Sequence, residues 1–383
     1  MKKYILRRVI QILITLIIFQ TLLFVILDAQ PGDITNLYLT NPKVTPEIRE
    51  QMRVVLGLDK PAITRYFQWL GNFVQGNLGI SFSNYPRPVM DIILERAPRT
   101  LSLFLTSQLI SFVLGYFLGK QMAWHRDTPF EYGMTIVGVI LFTIFTPWFG
   151  LMMIYLFGIK LQLLPIGKFL DPSIWRNVEV PANTLFYYMI LTAAIAGIIY
   201  VVINLLTRKR SRTLRQIIRL AGFVAVIGLV IFAWKLTPYG YLAGDILKHM
   251  ILPVTVSTLV SFAGTMLLMR NTMLETLRED FIMAARAKGL SEHVVRDKHA
   301  ARNAFLPVFT NLIISIPFAL SGGIITETIF SWPGMGLTLL QAVNLEDIPL
   351  AMGTLSFVGV LALVAHLVAD VAYAFLDPRI RYQ

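Results

Sequence analysis

Residues 280–307 read DFIMAARAKGLSEHVVRDKHAARNAFLP, a polar and basic stretch set between two long apolar runs, 250–269 and 304–326. Seven Lys/Arg fall between Arg270 and Arg302, far more than a plain connection needs. The spacing predicts a helix over Phe281–Gly289. Ala284, Ala285 and Ala287 keep one side thin enough for another protein's backbone to approach, and Arg286 and Lys288 are available to acidic partners. Gly289 suits the left-handed residue that ends a helix. Ser291 suits the N-cap of a second helix, with Glu292 favourable in its first turn. Two short helices hinged at a glycine make a docking foot, and the competing reading is a solvated loop.

Working outward, the rest of the chain is oily. Of its 383 residues 56% are hydrophobic and 15% charged, where soluble domains carry about 25% charged residues. Eight apolar blocks, at about 9–27, 100–119, 133–158, 184–206, 216–235, 250–269, 304–326 and 350–376, approach or exceed the roughly 20 residues needed to cross a bilayer. The expected fold is therefore an all-α polytopic membrane protein with about eight transmembrane helices. The first block follows Lys2, Lys3, Arg7 and Arg8 and is too long for a cleaved signal, so it is expected as a retained signal-anchor. Alternate threading puts segments 1–8, 120–132, 207–219, 270–303 and 377–383 on one side. They hold well over half of the chain's 34 lysines and arginines, so that side is assigned to the cytoplasm, with both termini inside. The net charge of +12 is explained by this asymmetry, and no nucleic-acid partner is expected.

The expected organisation is a signal-anchor helix (1–28), an extracytoplasmic loop domain (29–99), spans two and three (100–170), an inserted helix pair (171–245) and a final unit (246–383) holding the polar segment 270–303. In the loop domain, Thr45-Pro46-Glu47 suits a helix start, with Ile48, Met52, Val55 and Leu56 at helical spacing and Gly57 to end it. A second run presents Tyr66, Phe67, Trp69, Leu70 and Phe73, either as packing or at the membrane interface. Pro147, Pro253 and Pro317 would kink spans, either as packing bends or along a path. The basic turn RKRSRTLRQIIR (208–219) reads as a positive-inside anchor or a contact with anionic membrane lipid.

Candidate path residues are Asn311, Ser315, Pro317, Ser321 and Glu327, although small and polar residues serve helix packing equally. Asp370, near the end of the last span, is either a functional ionisable group or a structural one paired with a cation such as Arg379, and the structural role is favoured. The chain has no cysteine, which excludes thiolate chemistry, and His293 and His299 lie too far round a helix for a metal pair. No metal site or catalytic residue is expected. Gly115-Tyr116-Phe117-Leu118-Gly119-Lys120-Gln121 lacks the spacing and the hydroxyl of a phosphate loop.

AARAKGLSEHVV followed by RNAFLP resembles the EAA-type signature of permease subunits in ATP-binding-cassette importers, in the version of the oligopeptide/dipeptide permease family. KKYILRRVIQILITL, QPGD, LGLDKPAITRYFQWLGNFVQGNLGISF, RPVMDIILERAPRTLSL, ETIFSWPGMG and DPRIRY extend the resemblance over residues 1–170 and 246–383. Met283 departs from it, standing where the EAA form carries glutamate, and Pro307 follows Gly289 at a greater distance. The resemblance implies a six-helix importer core interrupted by the inserted pair, in the cytoplasmic (inner) membrane. It implies that Asp280, Phe281, Ala284, Ala285, Arg286, Ala287, Lys288, Gly289, Leu290 and Ser291 couple to one or two cytosolic ATPase subunits. Those subunits would hold the ATP and Mg, leaving this chain without a cofactor. A second homologous permease and an extracytoplasmic substrate-binding protein complete the implied partners, and the cargo would be peptides or similarly sized solutes moved inward. An ion-coupled secondary transporter or channel is the alternative, but midplane carboxylates are scarce and no internal repeat is evident.

Overall fold

The computed structural model describes residues 2–29, 47, 60–207, 211–320 and 323–376. The helix expected over 45–57, the basic residues 208–210 and the C-terminal residues from 377 lie outside the described residues. Thirteen helices organise the described chain: α1 (Lys2–Asp28), α2 (Ala62–Val74), α3 (Val89–Trp124), α4 (Pro129–Thr143), α5 (Thr146–Met153), α6 (Ala182–Leu206), α7 (Arg212–Leu236), α8 (Gly240–Thr276), α9 (Asp280–Ala287), α10 (Ala301–Leu320), α11 (Ile324–Ile329), α12 (Met335–Asn344) and α13 (Ile348–Leu376). A short helical turn, Pro172–Trp175, precedes α6. The fold is all-α and polytopic.

Where eight crossings were expected, six described helices are long and apolar enough to cross a membrane. The block 133–158 is not one kinked helix. It splits into α4 and a second segment from α5 to Lys160, bent by 103°, and would make a seventh span if counted as one. Pro147 explains the break: it occupies the first turn of α5, where a missing N–H costs nothing, and cannot continue a ladder from α4. The block 304–326 becomes α10 and the separate short α11. Twenty residues of α10 would reach about 30 Å at 1.5 Å per residue. The second span also starts earlier than expected, at Val89. At 36 residues α3 outreaches the hydrocarbon layer, so Glu95, Arg96 and Arg99 fit on its first turns.

Packing centres on α3 against α8. Ser107, Ser111, Gly115, Gly119 and Ala123 recur every four residues along α3 and are all buried. A Cβ on Gly115 would lie 2.7 Å from Thr265 Cβ and 2.9 Å from the Met266 nitrogen. Small residues at this spacing let two helix backbones touch where larger ones could not. The Gly115–Gly119 stretch, excluded above as a phosphate loop, is thus the closest approach of two spans.

α3 and α8 run parallel, Gly115 meeting Thr265 and Gly119 meeting Met269, while α1 runs against α13, so the loops sort into two ends. At one end Lys120 meets Asp297 at 3.2 Å, Arg270 pairs with Glu131, and Arg8 lies 3.4 Å from Asp370. The Asp370 partner is therefore Arg8 of the first helix; Arg379 lies outside the described residues. At the opposite end Asp347 is wholly buried, accepting from Ser81 Oγ (2.6 Å), Ser83 N–H (2.8 Å) and Ser83 Oγ (2.7 Å), while its second oxygen caps α13 at Leu350 N–H. The aromatic face of α2 divides. Tyr66 and Trp69 pack on Phe24 of α1, whereas Ile63, Phe67 and Val74 stay exposed.

Helices α6 and α7, expected as an inserted pair, pack on each other and touch the bundle through the start of α6 and, with Trp234, the end of α7. Leu185 and Phe186 are buried with Leu103, Phe169, Leu242 and Trp332. Tyr187 donates to the Leu94 carbonyl at 2.6 Å, and Asn183 accepts from Arg99. The pair is thus fastened to the end of the bundle opposite the polar elbow.

Candidate functional site

The elbow between α8 and α10 begins where α8 runs out of membrane. Its last turns, around Met269 and Met273, share a core with Ala123 of α3 and with Ile282, Ala285, Val295, Ala300 and Ala301. The α9 helix therefore presents two buried side chains, Ile282 and Ala285, and turns the rest outward. Ala285 was expected on the thin outer face but is 5% exposed, lodged in this core. Helical spacing explains it, since positions 282 and 285 stack on one face while 284 and 287 stand on the other.

Asp280, Phe281, Ala284, Arg286, Ala287, Lys288, Gly289, Leu290 and Ser291 all lie exposed, forming one continuous surface. Gly289 has φ +73°, and a Cβ there would meet nothing within 4 Å. Its N–H donates to the Arg286 carbonyl at 2.9 Å and the following Leu290 N–H reaches back to Ala285 at 3.4 Å, the closure of a glycine-terminated helix. Ser291 does sit at the N-cap of the short turn Glu292–Val294, but its hydroxyl makes no capping bond. Arg286 is not free, since it pairs across the glycine with Glu292 at 3.2 Å. The pair is exposed and adds little stability, though it spans the two arms of the elbow.

Beyond the turn, residues Val295–Ala300 form a widened helical stretch leading into α10. Arg296 donates twice to Asp297, at 2.9 and 3.0 Å, and this contact, with Lys120 adding to it, holds the Asp297 carboxyl below the usual carboxylate range. That ion pair is present at neutral pH and is lost only as pH falls through the lowered value. On the other flank Glu131 accepts from Asp127 N–H (2.6 Å) and Arg270 Nε (2.6 Å), fixing the start of α4 to the end of α8. These fasteners were not singled out in the sequence, although Thr128 and Glu131 have the spacing of a capping box.

The candidate path residues separate into different surroundings. Asn311 is exposed on α10, with no hydrogen-bond partner among the described residues. Ser315 is half-buried and receives a 2.8 Å hydrogen bond from Gln108 of α3. Pro317 falls within α10, and Ser321 lies outside the described residues. Glu327 is 0% exposed and faces no open space. It accepts from Thr100 Oγ (2.6 Å) and Leu337 N–H (2.8 Å), clamping α11 to α3 and α12.

The elbow is cored into the ends of two spans and turns an alanine-and-glycine surface outward. Comparison with known proteins decides its family. Residues 111–382 match the model of the binding-protein-dependent transport system inner membrane component, and residues 1–104 match its N-terminal companion. The chain belongs to this family.

This permease is similar to the oligopeptide transport system permease protein AppB of Bacillus subtilis, with 31% identity covering 100% of both chains. It is similar to the dipeptide transport system permease protein DppB of Escherichia coli K12, at 30% identity and 100% coverage of both. Against the di/tripeptide transport system permease protein DppB of Pseudomonas aeruginosa the identity is 30%, covering 94% of each chain. The permease is thus a multi-pass protein of the cytoplasmic membrane and the membrane-spanning subunit of an ATP-binding-cassette importer.

Proposed function

We propose that this permease carries peptides inward, driven by separate ATPase subunits that dock on residues 280–300 through the exposed surface of 280–291, leaving 297–299 on the cleft side. The observation that carries the reading is the split of α9. Ile282 and Ala285 root the helix in the span ends, while Ala284, Ala287 and Gly289 leave a thin surface outside. A nucleotide-driven movement pressed on that surface passes to α8 and α3 through the shared core, and to α4 through Arg270–Glu131. In this reading both termini and the elbow face the cytoplasm, ATP and Mg are held by the partners, and an extracytoplasmic binding protein delivers the cargo. The named peptide specificity of AppB and DppB supports the cargo class. A homologous second permease completes the path, with Asn311 among its lining residues, because an unpaired amide facing lipid is costly.

Two measurements test this. The chain purified alone is expected to show no ATP hydrolysis above background; sustained turnover by clean protein would overturn the subunit assignment. Ala284→Trp and Ala287→Trp are expected to leave folding and insertion intact, since both sites are exposed. A blocked contact at the centre of a docking surface costs 2 kcal/mol or more, or about thirtyfold in affinity. Co-purification of the ATPase and ATP-driven uptake should both collapse. Uptake unchanged in both variants would place the docking surface elsewhere.

A further inference from the structure

Beside the elbow a cleft of about 1090 Å³ opens between the inner halves of α3 and α10. Its apolar walls are Tyr116, Phe305 and Leu306, and its rim carries Lys298, His299, Arg302 and Asn303. The acid of the rim, Asp297, is already engaged by Arg296 and Lys120. Lys298 and Arg302 have no ion-pair partner among the described residues, so the mouth is left with uncompensated positive charge. The exposed face of α10 continues from this rim through Leu306 to Asn311. A stripe carrying Arg302 and the amide of Asn311, unpartnered among the described residues, would leave polar groups unsatisfied in hydrocarbon, so it faces water or protein.

We infer that this cleft is the inner mouth of the path and that Lys298 and Arg302 form a subsite for the free C-terminal carboxylate of the departing peptide. The inference rests on the peptide-import reading and adds the chemistry of the exit. Aromatic and aliphatic walls take the side chains of a peptide, while the two cations attract its one obligate anionic end. Arginine and lysine at an open mouth give a weak contact, which suits a site the cargo must leave. Because the rim is solvent-exposed, the attraction is also screened over about 8 Å at physiological salt.

The native absence of cysteine allows a direct test. Leu306, 51% exposed in the cleft wall, is changed to cysteine in the assembled importer, in inside-out vesicles without nucleotide. A membrane-impermeant thiol reagent should label it, and a free-acid tripeptide should slow labelling at least about threefold at low ionic strength, as an exposed charge pair allows. The C-terminally amidated tripeptide should not, and the protection should vanish in Lys298→Gln/Arg302→Gln. An unlabelled cysteine, meaning a face covered by lipid or by the second permease, overturns the inference. Equal protection by acid and amide, or none by either, does the same, as does labelling that depends only on anionic lipid. ATP-driven peptide uptake by the unmodified importer is scored separately, so failure of the subsite is distinguishable from failure of the peptide reading.

Discussion

Replacing Gly119 with valine is expected to abolish recovery of folded permease. A Cβ at this position would fall on the Met266 carbonyl oxygen, and 2.8 Å from Met269 Cβ. The first obstacle is backbone of α8, which no rotamer change can move, so the two central helices must separate. Separation opens the cores on either side of the crossing, one holding Met122, Phe262 and Met266 and the other rooting the elbow. Overpacking usually costs about 1–3 kcal/mol where side chains can adjust, and a rigid backbone clash belongs at or above the top of that range. Marginal stability of typically 5–15 kcal/mol leaves little room for such a loss. Heating in detergent followed by size-exclusion chromatography measures it. Gly264→Ala in α8 is the control, since a Cβ there meets nothing within 4 Å. It should match or slightly exceed the parent, as alanine is the better helix former by about 1 kcal/mol. If Gly119→Val tolerates heat as well as Gly264→Ala, the crossing is not as close as described.

Gly119 also shows where reading residues in order falls short. The apolar blocks were legible because twenty oily residues have few fates, and the elbow was legible because charge between such blocks needs a reason. What one helix does to another was not. Gly115 and Gly119 were weighed only against a phosphate loop, although their four-residue spacing continues upstream through Ser111 and Ser107. Ala285 was assigned outward because alanine fits either a thin surface or a crowded core. Only the presence of Met269, Met273 and Val295 on one side of α9 decides between them. Pro147 was taken for a kink, yet proline at a helix start is equally natural, and the break at Phe145 makes it one. Asp370 was weighed with a cation nearby in sequence, and nothing along the chain pointed to its ion pair with Arg8 at the other end. Asp347 drew no notice at all, since one carboxylate in a turn says nothing about two serines 264 and 266 residues away.

Glu327→Ala is expected to loosen the end of the bundle opposite the elbow while leaving ATPase docking intact. Glu327 entered as a path candidate, and full burial makes it a clamp instead. One oxygen takes the Thr100 hydroxyl and the other the Leu337 N–H. Thr100 in turn accepts from Met335 N–H at 2.7 Å, so the network spans α3, α11 and the start of α12. Gly334 and Gly336 make room for it, since a Cβ on Gly336 would lie 3.1 Å from the second carboxylate oxygen. Alanine would strand the Thr100 hydroxyl and the Leu337 N–H in a fully buried site, at about 1–3 kcal/mol for each group. Neighbouring Trp332, whose ring N–H donates to the Arg99 carbonyl at 3.3 Å, should lose its fixed place as well. Amide exchange at Leu337 and Met335 should quicken by at least about tenfold, which corresponds to 1.4 kcal/mol of local opening. Glu327→Gln, which retains one acceptor, should fall between the parent and alanine. A path-lining role predicts a different pattern: altered uptake with unchanged exchange at those two amides. Exchange that stays at the parent rate in Glu327→Ala would therefore return the residue to the path and remove the clamp.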